Sequence, residues 1–330
     1  MIVVFIGNPV DDRELLTRLQ AGNLSGDALA RIAGVTRAAI WKRIQGLRAA
    51  GIEIEGRAGD GYRLMQTLDW LETEQILKEM PAAARSLLVS LEVAWSVDST
   101  NAELLRRAPP DQGAAVLMAE RQTQGRGRRG RSWASPLAAH LYLSLMRRFS
   151  GGLARLGGLS LVAGVASAEA LHAIGFPEVG LKWPNDLFAQ GRKLGGLLVE
   201  GRGEYAGPSQ AVIGLGINVR MPPSHHAAID QSWTDLTALQ KNEPSRNPVA
   251  AAVLSRLLPA LDLFDREGLE PFLPRYAALD ILAGHPVRVT LDTEQVSGIA
   301  AGVAIDGALR VRVGQNERRF HAGEVSVRVQ

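Results

Sequence analysis

The hydrophobic period of this chain changes twice along its 330 residues, so one bundle or one sheet cannot hold all of it. Residues 11–66 keep helical spacing, residues 86 to about 275 alternate strand-like and helical runs, and residues 277–330 break into short β runs. A chain of this length is expected to divide, because a single core rarely grows beyond about 250–300 residues. The expected fold is α+β multidomain: a winged helix-turn-helix over 1–66, a linker helix over 67–82, a mixed-sheet α/β unit over 83–276 and a small β-barrel over 277–330.

In the first segment Asp11 or Asp12 can cap a helix that turns Leu15, Leu16 and Leu19 inward and ends near Gly22. A second helix over Gly26 to Ala33 offers Leu29 and Ile32, Gly34 makes the turn, and Thr36 caps a third helix running to about Arg48 with Ile40, Ile44 and Leu47 inward. Ile52 and Ile54, then Tyr62 and Leu64, alternate across the turn GRAGDG as a β wing. No carboxylate falls between Asp27 and Glu53, while Arg31, Arg37, Lys42, Arg43 and Arg48 all do. A solvated charged helix would explain the third helix taken alone. The wing and the missing carboxylates favour a major-groove reader, with Arg37, Ala38, Trp41, Lys42, Gln45 and Arg48 on the DNA face.

The formal net charge is only +3, so nucleic-acid contact must come from this local patch. The absence of Cys excludes disulfide and thiolate chemistry and fits a reducing cytoplasm. MIVVFI is short, lacks a basic start and runs into Asp11 and Asp12, which suits a short strand or frayed tail rather than a secretory signal. The longest apolar region, Leu159 to Ile174, carries Glu169 and falls short of roughly 20 uninterrupted apolar positions. The chain is expected to be soluble, with no membrane partner.

Four stretches of the middle segment carry chemistry. QGRGRRGRSW, residues 124–133, sets four arginines among three glycines; glycine permits positive φ, so successive N–H groups could converge on an anion while the guanidinium forks close over it. Charge this concentrated suits one small phosphate better than a duplex, although a disordered basic loop has the same composition. LKWPNDL, 181–187, ends a strand and points Asn185 and Asp186 toward a cleft, where Asp186 could hold Mg²⁺, accept a proton or simply form the turn. Lys193 opens KLGGLLVEG, whose glycines permit close backbone approach, and could equally be a surface lysine. VDSTN, 97–101, offers hydroxyl and amide groups suited to a urea-like ring, yet Thr100 with Glu103 also matches a capping box. GLGINV, 214–219, is a weak Gly-x-Gly with Asn218 after it, and His225-His226 lies in a Pro/Ser loop without a metal-ligand partner.

In order, DSTN, QTQGRGRRGRSW, KWPND, KLGGLLVE and GLGINV resemble the bifunctional biotin protein ligases and biotin operon repressors of bacteria, over roughly residues 12–330. The resemblance implies a ligase that makes biotinyl-5′-AMP from biotin and ATP with Mg²⁺, passes biotin to a lysine of a biotin carboxyl-carrier domain, and represses biotin synthesis genes from operator DNA. It implies an SH3-like form for the C-terminal barrel. Ser99, Thr100, Asn101 and Gln122 then form the ureido pocket, and Arg126, Gly127 and Arg128 the loop that closes over biotin and phosphate. Lys193 becomes the catalytic lysine and a biotin contact, with Arg128 and Asp186 catalytic beside it and Asp186 the Mg²⁺ ligand. Trp133, Asn185 and Asn218 fall to the nucleotide. One recognition helix reads one half-site, so a homodimer promoted by biotinyl-5′-AMP is expected. Two other readings use the same motifs: a ligase whose helix-turn-helix no longer regulates, and a biotin sensor without ligase activity. The lipoate ligase class shares the architecture but not GRGRRG with KWPND and a winged helix.

Overall fold

The computed structural model describes residues 10–57, 60–240, 244–291, 294–323 and 326–329; the expected N-terminal strand or tail, part of the wing turn and Asp292, where the sequence leads one to expect a turn between the C-terminal β runs, lie outside them. Helices α1 (Val10–Ala21), α2 (Gly26–Ala33) and α3 (Arg37–Ala49) are followed by a hairpin of β1 (Ile54–Arg57) and β2 (Gly61–Leu64). Ser25 and Thr36 cap α2 and α3 through their hydroxyls, and Gly34 turns the chain at φ 64. Leu15, Leu16, Leu19, Leu29, Ile40, Ile44 and Leu47 close one small core. Helix α1 already includes Val10, Asp11 and Asp12, so the position that caps it lies outside the described residues. One expectation changes. Ile32, in the last turn of α2 where the chain turns away at Gly34, stays 46% exposed.

Next come α4 (Thr73–Glu79) and α5 (Ala82–Arg85), whose Ile76 and Ala84 join the main core together with Met80 between them. That core surrounds a seven-stranded sheet built from β3 (Leu88–Val97), β4 (Ala114–Gln122), β5 (Leu141–Phe149), β6 (Gly180–Lys182), β7 (Asp186–Ala189), β8 (Arg192–Gly203) and β9 (Ser209–Ile217), in the order β3-β4-β5-β9-β8-β7-β6. Helices α6 (Thr100–Leu105), α7 (Leu159–Ala173), α8 (Leu236–Leu239), α9 (Arg246–Glu267) and α10 (Leu273–Leu279) complete the unit. Only β3 and β4 pair in parallel, through the crossover α6; every other pair is antiparallel. By length and composition alone Leu153–Ala173 and Arg246–Glu267 could cross a membrane, but the first carries Arg155 and Glu169, and its helix proper runs only Leu159–Ala173, in line with the sequence reading. Both lie in the protein core, and α7 is buried along most of its length because it packs against α9 as well as the sheet.

The C-terminal strands β10 (Pro286–Thr290), β11 (Gln295–Val303), β12 (Leu309–Val313), β13 (Asn316–Phe320) and β14 (Ser326–Val329) form one antiparallel sheet in the order β13-β12-β11-β10-β14. The expected barrel is not closed: β13 and β14 remain edges among the described residues. Its apolar side chains Val287, Val289, Val311 and Phe320 belong to the same core as the large sheet, so burial does not depend on closure. Trp183 donates its indole N–H to Gly307 O at 3.0 Å and ties this sheet to the turn after β6.

A buried ion pair straps residues 69–72 to the large unit. Arg246, 2% exposed, lies 2.8 Å from Glu120 Oε2 and also donates to Asp69 O and His140 O. Glu120 Oε1 accepts from Leu71 N at 2.9 Å. Burial pulls His140 down to about 3, so the neighbouring imidazole is neutral and accepts from Val219 N. Removing one member of such a pair leaves a buried charge uncompensated. Glu120→Ala is expected to lower stability by about 3–5 kcal/mol in urea unfolding, and an unchanged midpoint would contradict this role.

Candidate active site

Parallel pairing sets Val97 beside Gln122, so the turn that follows β3 meets the end of β4. Here the cap of α6 is Ser99, accepting from Ala102 N, and not Thr100 as the capping-box pattern suggested; Glu103 instead pairs with Arg106 and Arg107. Thr100 donates from N and Oγ1 to Gln122 Oε1 at 2.8 and 3.1 Å. Asn101 is 3% exposed and its amide is fully committed: Nδ2 donates to Leu198 O and Glu200 Oε2, and Oδ1 lies 2.6 Å from Ser144 Oγ. The turn therefore presents Ser99, Thr100 and Gln122, with Asn101 as its brace.

The Arg/Gly stretch forms a compact hairpin, held by Gly127 N to Arg131 O at 2.7 Å and Trp133 N to Gly125 O at 2.8 Å. Positive φ occurs at Arg129 (58°) and Gly130 (68°), while Gly127 is extended. Gly125 serves for space, because a Cβ there would come within 2.8 Å of Ser135 Oγ. Gly127 N and Trp133 N are spent inside the hairpin, so of the N–H groups expected to converge on an anion these two are already committed. Arg126 Nη2 lies 3.7 Å from Glu200 Oε1. Arg128 donates to Asn185 Oδ1 at 3.1 Å and to the carbonyls of Ala322 and Gly323, so the C-terminal sheet closes one side of the loop. Burial lowers the Arg128 pKa, with Asp186 opposing and Arg129 and Arg131 adding to the effect.

Below the hairpin, Lys193 Nζ is 2.8 Å from Asp186 Oδ1 and 5.6 Å from the Trp133 ring. Lys182 sits across from Asp186 in the β6–β7 register. Its pKa is lowered by burial, then by Lys193 and Arg328, against the pull of Asp186. Asn185 Nδ2 donates to Leu197 O, which fixes the turn against β8. The glycines of β8 and β9 make a floor: a Cβ on Gly216 would come within 2.6 Å of the Trp133 ring, and one on Gly196 within 3.4 Å. Gly214 likewise leaves room for Asn101, whose Oδ1 would lie 2.3 Å from a Cβ. The Gly-x-Gly of GLGINV thus accommodates Asn101 and Trp133. Asn218, 5% exposed, gives its amide to Thr234 O.

Sequence reasoning missed Lys182, Ser144 and Glu200. Lys182 stood inside the quoted LKWPNDL, and Ser144 was detectable as a small hydroxyl within the run LYLSLM. Among the described residues no three His, Cys, Asp or Glu side chains converge for a metal. Asp186 offers a carboxylate, a donor set suited to Mg²⁺ shared with phosphate oxygens rather than to a resident ion. His225 is partly buried, and burial with Arg121 nearby lowers its pKa. On α3, Arg37, Ala38, Trp41 and Lys42 are exposed, whereas Gln45 and Arg48 are half-buried and Arg48 Nε donates to Ile54 O to brace the wing.

Comparison with known proteins agrees with this layout. Residues 13–63 match an HTH domain, 93–218 the biotin/lipoate A/B protein ligase family, and 283–328 the biotin protein ligase C-terminal domain. The bifunctional ligase/repressor BirA of Escherichia coli is 39% identical over 304 residues, 92% of each chain. The biotin–acetyl-CoA-carboxylase ligase of Mycobacterium tuberculosis is 37% identical over 81% of this chain and 98% of its own. The biotin protein ligase of Aquifex aeolicus, solved with biotin and ATP, superposes with a TM-score of 0.61 at 28% identity, covering 74% of this chain and 99% of that one.

The glycine floor can be tested directly. Gly216→Ala is expected to cost about 1–3 kcal/mol by overpacking against the indole. Gly196→Ala, with the longer Cβ contact, should cost less. Urea unfolding followed by fluorescence checks the order, and equal costs would refute the packing described.

Proposed function

The chain belongs to the biotin/lipoate A/B protein ligase family, in the bifunctional branch that adds an HTH domain, and on that premise we propose which residues perform each step. It is a biotin protein ligase that makes biotinyl-5′-AMP from biotin and ATP, transfers biotin to a carrier-protein lysine, and acts as a biotin-responsive repressor. The observation that carries the assignment is the concentration of Lys193, Lys182 and Arg128 around Asp186, beside a buried hydroxyl-and-amide turn.

The biotin carboxylate attacks the α-phosphorus of ATP, a C–O–P bond forms, the bond to the bridging oxygen breaks, and pyrophosphate leaves. Two anions must meet, so positioned cations have to offset their repulsion and the charge that accumulates in the transition state. Lys193 and Arg128 supply that charge at the reacting end, and Lys182 stands where it can take the leaving pyrophosphate. Ser99, Thr100 and Gln122 present hydroxyl and amide groups to the ureido ring, with Asn101 holding the turn. Arg126, Gly127 and Arg128 close over the adenylate. Trp133 stacks against the adenine, Asn185 keeps Arg128 in place, and Asn218 shapes the nucleotide side from the backbone. Mg²⁺ would enter on the ATP phosphates with Asp186 as its protein ligand and add charge neutralisation. Closure then excludes water until a carrier lysine amine attacks the mixed anhydride.

Biotin-dependent exchange of labelled pyrophosphate into ATP tests the reading. Lys193→Ala is expected to reduce exchange roughly 100- to 1,000-fold, while Arg128→Gly should still form the adenylate but release it. Unchanged exchange and retention in these variants would contradict the roles assigned.

For repression, the exposed face of α3, with Arg37, Ala38, Trp41 and Lys42, enters the major groove, and Gln45 and Arg48 support it. A homodimer formed through the central unit carries two such helices to two half-sites, and β3 leaves a ten-residue sheet edge that suits this pairing. If the adenylate favours the dimer, operator affinity rises by the same coupling. Sedimentation should show a dimer at micromolar protein with saturating adenylate; a monomer there would remove this mode of control.

A further inference from the structure

Glu200 of β8 faces two parts of the site at once. Its Oε2 accepts from Asn101 Nδ2 at 2.8 Å, and its Oε1 lies 3.7 Å from Arg126 Nη2 in the hairpin. Asn101 cannot swing away, because its amide fills the space left by Gly214 and its oxygen meets Ser144 Oγ at 2.6 Å. Ser144 Oγ also lies 2.7 Å from Thr100 Oγ1, and Thr100 donates to Gln122. A continuous line of polar contacts thus runs from the Arg/Gly hairpin to the ureido turn, and Glu200 is the charged link in it.

We propose that Glu200 is a positioning residue that couples closure of the hairpin to the turn beneath it, an inference that rests on the ligase reading above. Arg126, Arg128, Arg129 and Arg131 repel one another when the hairpin folds, and the nearby Asp98 carboxylate is already paired with Arg106, whereas Glu200 faces Arg126. A carboxylate fixed by Asn101 counters that repulsion at the near end of the hairpin, and it gives up little further freedom in doing so. The side chains of Arg126 and Glu200 are 47% and 30% exposed, so the pair adds little to global stability. Its effect belongs in how long the hairpin stays down.

Glu200→Gln separates the two functions, since an amide oxygen still accepts from Asn101 while the charge facing Arg126 is gone. The experiment compares wild type, E200Q, R126A and the double variant. One readout is the release rate of labelled biotinyl-5′-AMP formed from biotin and ATP. The other, independent of catalysis, is the rate of tryptic cleavage after Arg129 and Arg131 in the free protein. E200Q is expected to raise both rates roughly two- to fivefold, the range of an exposed ion pair. Its biotin affinity and urea midpoint should not change, and R126A should leave E200Q with no additional effect. Wild-type rates in E200Q would overturn the proposal, as would a lowered midpoint with weakened biotin binding, the signature of a merely structural residue. Should wild type itself lack pyrophosphate exchange while the tryptic rates behave as expected, the ligase reading fails and the coupling stands.

Discussion

Parallel pairing of β3 with β4 is the constraint from which the site follows. It is the one parallel pair in a mixed sheet, and it brings the ends of both strands to the same edge, Val97 beside Gln122. Ligands in such sheets gather at the carboxyl ends of parallel strands, where helix starts and loops converge. Here the start of α6 supplies Ser99 and Thr100, and the segment leaving β4 becomes the arginine hairpin. The antiparallel strands β6 to β9 then bring Lys182, Asp186 and Lys193 under that hairpin, and the glycines beneath Trp133 let the layers approach.

A pocket for two anions must be strongly cationic, and cations crowded together oppose folding. The structure meets this with few carboxylates. Asp186 pairs with Lys193 and opposes the burial-driven lowering at both Lys182 and Arg128. Asn185 and two carbonyls of the C-terminal sheet give Arg128 neutral acceptors. The open C-terminal sheet therefore shares the central core and also borders the site. Residues 69–72, which follow the HTH unit, are strapped to the same body through Arg246 and Glu120, two positions before Gln122 on β4.

Much of this was legible in the sequence because it depends on local chemistry. Thr36 and Gly34 announced α3 and its turn, and the paired motifs located Lys193, Asp186 and the arginine loop. What depends on packing was not legible. That Gly125 and Gly216 leave the space Ser135 and Trp133 occupy could not be read from their spacing. Thr100 fitted a capping box, but the strand register turned it toward Gln122 and left Ser99 as the cap. Closure of the C-terminal strands could not be judged from their pattern, since the face that a barrel would bury is covered by the rest of the molecule. Glu200 and Ser144 gained meaning only once β8 and β5 were placed beside α6.

The central claim is that guanidinium groups on a short glycine-hinged hairpin fold down and shield an activated biotin from water. Amide hydrogen exchange across residues 124–133, with and without saturating biotinyl-5′-AMP, addresses it most directly. The account predicts slowed exchange concentrated between Gly125 and Arg131 when the adenylate is bound. Equal exchange in the two states, with the compound shown to be bound, would contradict it.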